Sequence, residues 1–160
     1  LHDALPICDF LKSYLPAKPG LIEDSSGNIM GQHEGLMYHT IGQRQGLQIG
    51  GVRGGSQEPW YVLRKEIGRN ALIVGQGNNH QGMYSSSAFC KKIYWIGTAP
   101  TLPFSGTAKV RYRQKDQKCS LIASGSGFQV DFQSPQRAVT PGQWICFYDQ
   151  ERCLGGGIIE

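Results

Sequence analysis

Glycine and proline interrupt this sequence too often for long helices to form. The 160 residues include 22 glycines and 8 prolines, roughly 19% of the chain against an average near 12%. Turn formers at this density favour short strands joined by tight loops. The expected fold class is therefore mainly β: a small β-rich domain with one short helix over residues 9–82, then an antiparallel β-barrel over residues 83–160.

The local patterns support that division. Phe10, Leu11, Tyr14 and Leu15 fall on one helical face behind a capping Asp9, and Pro16 and Pro19-Gly20 close the helix. Leu21–Asp24 and Ile29–Gln32 flank Ser25-Ser26-Gly27-Asn28, a hairpin with a four-residue loop. Pro59–Lys65 and Ala71–Gln76 read as partner strands across Ile67–Asn70, and the glycines between Gly35 and Gly51 predict positive φ or close backbone approach. Further strands are predicted at Ser85–Tyr94, Gly106–Gln114, Ser120–Ala123, Phe128–Phe132, Trp144–Tyr148 and Cys153–Ile159. Turns are predicted at Ser124–Gly127, Ser134-Pro135 and Thr140-Pro141-Gly142. One reverse translation of Leu1–Ile7 matches a widely used sequencing-adapter end, so residues 1–8 are read as a library scar with Cys8 at its junction.

Charge and cysteine usage narrow the function classes. Sixteen Lys+Arg against twelve Asp+Glu give a net charge of +4, a mild bias toward polyanionic partners. No apolar run approaches the ~18 residues of a membrane-spanning helix. The five cysteines, Cys8, Cys90, Cys119, Cys146 and Cys153, are odd in number, form no CxxC pair and follow no secretory signal. They read as reduced thiols in a cytoplasmic protein. His2, His33, His39 and His80 are scattered, at no zinc-like spacing, so no metal site is expected.

The sharpest chemical feature is Thr107-Ala108-Lys109-Val110-Arg111-Tyr112-Arg113-Gln114. On a strand, Lys109, Arg111 and Arg113 share one face at about 7 Å intervals, a ladder of cations suited to phosphates. A solvated barrel exterior would also need such charge. The segment His33–Gly51 places His39, Gln43 and Arg44 among glycines, yet matches neither a P-loop nor a dinucleotide fingerprint. Gly75-Gln76-Gly77 and Gly155-Gly156-Gly157 read as turns and tight strand packing. Neither His39 nor His80 has a nucleophile or carboxylate beside it, so both default to structural roles. Cysteines within predicted strands are most simply small buried hydrophobes.

Taken in order, several runs resemble the tRNA-specific 2-thiouridylases, which place sulfur on C2 of the wobble uridine. They are Tyr14-Leu15-Pro16-Ala17-Lys18-Pro19-Gly20, Gly35-Leu36-Met37-Tyr38-His39-Thr40-Ile41-Gly42-Gln43-Arg44, Pro59-Trp60-Tyr61-Val62, Arg111-Tyr112-Arg113-Gln114, Ala138-Val139-Thr140-Pro141-Gly142-Gln143 and Cys153-Leu154-Gly155-Gly156-Gly157-Ile158-Ile159. The resemblance implies that residues 9–82 are the family's central domain and 83–160 its C-terminal β-barrel. An N-terminal ATP-pyrophosphatase domain would precede them in the family enzyme. There, ATP with magnesium activates the uridine, a persulfide-bearing cysteine delivers sulfur, and a sulfur-relay protein supplies it. These 160 residues contain no SGGxDS-type phosphate loop, and Cys8 stands six residues before Tyr14 in the wrong register for the family's second cysteine. The expectation is thus no catalytic residue and no cofactor in this chain, with tRNA rather than DNA or membrane as partner. By similarity, Arg111, Tyr112 and Gln143 contact tRNA, with Lys109, Arg113, Gln43 and Arg44 as further candidates. Two competing readings are a stand-alone β-barrel RNA- or protein-binding module and a free-standing thiol enzyme with an exposed, activated cysteine.

Overall fold

In the computed structural model, residues 17–49 and 58–160 are described. The chain divides into two compact units, Leu1–Met83 and Tyr84–Glu160. The helix predicted over residues 9–15, the proposed scar at 1–8 and the Gly50-Gly51 pair lie outside the described residues. The helical turns among those residues are all short 3-10 turns, at Leu36–Tyr38, Ile67–Arg69 and Gln81–Met83.

The first unit is a four-stranded mixed sheet. Strands β1 (Gly20–Asp24) and β2 (Ile29–His33) form the predicted hairpin, closed at its tip by Asp24, whose carboxylate accepts the N–H groups of Ser26 and Asn28 at 2.8 and 2.9 Å. Strands β3 (Trp60–Glu66) and β4 (Ala71–Gln76) form a second antiparallel pair, turned at Asn70 with a left-handed φ of 50°. The two pairs join through a parallel contact of β1 with β4, giving the order β2-β1-β4-β3. Because β4 is central, its Ala71-Leu72-Ile73-Val74-Gly75 run is buried on both faces, as an unbroken apolar strand must be. One face packs Ile22, Val62, Leu72 and Val74 under Leu47; Tyr61, Leu63 and Met83 form a separate cluster.

The loop after β2 is tied to β3 by its backbone. Gly42 N–H donates to the Val62 carbonyl at 2.8 Å, and Val62 N–H donates to that of Gln43 at 2.9 Å. Gly42, Gly46 and Gln48 there take positive φ, which agrees with the glycine frequency of the segment.

The second unit is a closed barrel of six antiparallel strands, in the order β10-β5-β8-β7-β6-β9. Its strands are β5 (Tyr84–Trp95), β6 (Phe104–Lys109), β7 (Gln117–Ser124), β8 (Gly127–Arg137), β9 (Trp144–Asp149) and β10 (Arg152–Ile159). Alternation sends Ile145 and Phe147 of β9, Leu121 of β7, Val130 of β8 and Cys90 of β5 into the interior, all fully buried. Closure depends on Gly155, where φ is +142° and any Cβ would overlap the Tyr94 carbonyl oxygen of the neighbouring strand.

Two expectations are corrected. The turn predicted at Ser134-Pro135 lies inside β8, which runs through to Arg137. Between Asp131 and Gln136 the register of β8 against β5 shifts, so Pro135 sits where no ladder hydrogen bond is required of it. The strand predicted over Gly106–Gln114 ends at Lys109. Val110 N–H donates to the Gln114 side-chain oxygen at 3.1 Å, and Gln114 N–H to the Arg111 carbonyl at 3.1 Å, which turns the chain out of the sheet.

Candidate nucleic-acid interface

Because β6 stops early, the ladder of three cations on one strand face does not exist. Lys109 is the last strand residue, while Arg111, Tyr112 and Arg113 occupy an exposed turn; Tyr112 is 96% exposed. Outside the sheet, strand alternation no longer sets Arg111 and Tyr112 on opposite faces. Both line a groove of about 650 Å³, with Lys109, Val110, Gln143, Trp144, Cys146 and Tyr148. The groove therefore gathers four of the seven candidate residues, Lys109, Arg111, Tyr112 and Gln143. Arg113 is exposed in the same turn but is not part of the groove's lining.

Each wall has an identifiable support. The Arg111–Gln114 turn is held from below by side-chain amides: Gln114 Nε2 donates to Gln136 Oε1 at 2.6 Å, and Gln136 Nε2 donates to Gln117 Oε1 at 3.0 Å and to the Ser134 carbonyl at 2.6 Å. Gln136 is itself buried, at 5% exposure. The opposite wall is the Thr140-Pro141-Gly142-Gln143 turn, with Gln143 N–H donating to the Thr140 carbonyl at 3.1 Å. It is bound to the end of β10 by Gly142 N–H to the Ile159 carbonyl at 2.7 Å and Ile159 N–H to that of Gln143 at 2.9 Å. The Gln143 side-chain oxygen is buried and has no hydrogen-bond partner among the described residues, an acceptor that a hydroxyl or amino donor would satisfy.

The cations differ in availability. The Lys109 ammonium lies 2.8 Å from the Asp116 carboxylate and 5.1 Å from the centre of the Tyr148 ring. The hydrogen bond to Asp116 raises its pKa, so it stays charged but partly neutralised. The described ion pairs do not include Arg111, whose forked guanidinium suits a phosphate. Burial and nearby Cys153 push the Cys146 thiol up. Burial also raises Cys90 and Cys119 to about 11, which keeps these thiols protonated and gives no support to a thiol enzyme.

In the first unit, Gln43 spends its side chain locally, accepting the Thr40 N–H at 2.9 Å and donating to the Gln45 carbonyl at 2.8 Å; Arg44 is exposed. His80 closes its own turn by accepting the Gly82 N–H at 3.0 Å. His39 is buried 6.0 Å from His33, ring centre to ring centre, and desolvation followed by the positive charges of His33 and Lys65 lowers its pKa to about 4. No group of three or more potential metal ligands occurs among the described residues. Sequence reasoning missed Trp144, Tyr148 and the glutamine network. The alternation of Trp144, Cys146 and Tyr148 against inward Ile145 and Phe147 was the available signal for the first two; the glutamines carried none.

The two β-domains, one of them bearing a groove with two cations, an open phenol and an unpartnered amide oxygen, each match the model of a known domain family. Residues 8–76 match the tRNA methyl transferase PRC-barrel domain and residues 85–159 the aminomethyltransferase beta-barrel domain. Over 153 residues, 95% of this chain, the sequence is 58% identical to the tRNA-specific 2-thiouridylase MnmA of Pseudomonas fluorescens (strain Pf0-1) and to that of Stutzerimonas stutzeri (strain A1501). It is 56% identical to that of Pseudomonas putida (strain W619) over the same length. The chain belongs to the tRNA-specific 2-thiouridylase family, and it spans 41% of the length of each of these relatives.

Proposed function

We propose that this chain is the tRNA-holding part of a 2-thiouridylase, the enzyme that replaces the C2 oxygen of the wobble uridine with sulfur at the expense of ATP. The observation that carries the reading is the convergence of Arg111, Tyr112, Lys109 and Gln143 on one groove. In this reading Arg111 grips a backbone phosphate, Tyr112 packs on a ribose or base, and the Gln143 side chain contacts a ribose or base edge from the groove wall. Lys109 adds a second phosphate contact once RNA competes with Asp116. Arg113 adds a contact from the same turn, and Gln43 and Arg44 contribute contacts of their own from the first unit.

The chain's contribution to the reaction is binding and orientation. Activation of the uridine by ATP with magnesium, and sulfur delivery from a persulfide supplied by a relay protein, belong to the ATP-pyrophosphatase domain of the family enzyme. This chain alone is expected to bind tRNA and to form no thiouridine, in the cytoplasm where its substrate resides. Filter binding of a tRNA transcript against salt concentration tests the reading. The expected result is a linear fall of log affinity with log salt, with a slope reduced by about 1 for each phosphate contact removed by Arg111→Ala or Lys109→Ala. Binding that ignores both salt and these substitutions would overturn it.

A further inference from the structure

The groove continues across the outside of the barrel. The pairing registers place Lys109 of β6 opposite Cys146 of β9, Cys146 opposite Gly156 of β10, and Gly156 opposite Tyr94 of β5. This row crosses four strands, about 14 Å at the usual ~4.8 Å strand spacing. Trp144 and Ile158 form the adjacent pair on the same outer face, two residues along each strand.

The surface along this row is aromatic and open. Trp144 is 51% exposed and Tyr94 is 53% exposed; their rings meet across β10 with centres 5.8 Å apart and planes tilted by 44°. Residue 156, beneath them on β10, is glycine: a Cβ there would stand 2.6 Å from the Ile145 carbonyl oxygen, so the backbone under the two rings has no room for a side chain. The Lys92 ammonium lies 4.6 Å from the centre of the Tyr94 ring, placing a cation at the far end of a surface that begins with Lys109 and Arg111. Large exposed aromatics bracketed by cations fit a ligand that carries both flat apolar faces and negative charge. Trp144 belongs to both the groove and this surface.

We infer that the Trp144–Tyr94 surface over Gly156 is a stacking platform for an unstacked nucleotide of the tRNA. Its base lies on the Trp144 ring, and its flanking phosphates are held by Lys92 on one side and by the groove cations on the other. Tyr94 props the indole, and Lys92 fixes Tyr94. The inference rests on the tRNA reading above and extends it to a contact made by a base rather than by the backbone.

Titration of the 160-residue chain with a tRNA transcript at fixed salt, repeated across a salt series, separates the two. Trp144→Leu is expected to weaken binding roughly tenfold, within the range for loss of one base–aromatic stack, without changing the salt slope, because stacking releases no counterions. Trp144→Phe should recover most of the loss, whereas Lys92→Gln should lower the slope. Wild-type tryptophan fluorescence should be quenched on binding, and the quenching should largely vanish in Trp144→Phe. If tRNA binds normally but Trp144→Leu matches wild type, or no Trp144-dependent quenching occurs, the platform is refuted while the groove stands. Concentration-dependent self-association abolished by Trp144→Leu, with tRNA affinity intact, would assign the face to a second copy instead. Absence of any tRNA binding would remove the underlying reading together with the platform.

Discussion

Gln136→Leu tests how the groove is built, because one buried side chain supports it without lining it. Gln136 takes part in three hydrogen bonds, with Gln114, Gln117 and the Ser134 carbonyl, at 2.6, 3.0 and 2.6 Å. At about 1 kcal/mol net each, their loss amounts to about 3 kcal/mol. Leucine is of similar volume and recovers part of this by apolar burial, leaving roughly 2 kcal/mol. A domain of this size loses about 4–8 °C per kcal/mol, so the barrel transition should fall by about 8–16 °C. The assay is thermal and urea unfolding followed by tryptophan fluorescence in a Trp60→Phe background, which leaves Trp95 and Trp144 of the barrel as reporters. Gln129→Leu serves as a control, since its amide bonds Asp131 at 3.0 Å in the open and should cost under about 0.5 kcal/mol. With Gln114 released, Val110 N–H loses the acceptor that ends β6, so the Arg111 turn loosens and tRNA affinity should fall in the folded protein. A destabilisation below about 0.5 kcal/mol, or an unchanged tRNA affinity despite the full loss, would refute this account of the turn.

Gly155→Ala should cost the barrel several kcal/mol, given a φ of +142° and the overlap with the Tyr94 carbonyl, whereas Gly31→Ala, with nothing near its Cβ, should change stability by less than about 1 kcal/mol; comparable urea midpoints for the two variants would contradict the closure argument. Cys90 and Cys119, held at about 11 by burial, should resist iodoacetamide at pH 7 until the barrel unfolds, while half-buried Cys153 alkylates first; mass mapping of labelled peptides checks the order. His39 binds a proton at about 4 in the fold but near 6.5 when unfolded. The unfolded state therefore takes up the proton first, and the first unit should lose stability as pH falls from about 6.5 to about 4. His39→Gln should flatten urea midpoints over that window, and an unchanged slope would argue against a buried neutral imidazole.

Periodicity and punctuation made most of the strands legible, because each depends on local alternation and on turn residues at its ends. The β1–β2 and β3–β4 hairpins are local in this sense. The parallel joining of β1 to β4 is not, since nothing in either strand names a partner some fifty residues away. Pro135 misled for a related reason: proline usually marks a turn, but within β8 a register shift excuses its missing N–H.

The candidate site divides the same way. The sequence by itself determined that cations cluster at Lys109, Arg111 and Arg113, that a Thr-Pro-Gly turn presents Gln143, and that the ordered motifs belong to the 2-thiouridylases. The end of β6 was decided by tertiary structure. A backbone continues as a strand only while neighbours receive its hydrogen bonds, and at Val110 that bond goes to Gln114, which Gln136 anchors from a distant strand. The same closure of the barrel brings Gln143 and Trp144 beside Arg111 and sets Tyr94 across Gly156 from Trp144. These contacts are set by strand order and register, which side-chain patterning within one strand does not encode.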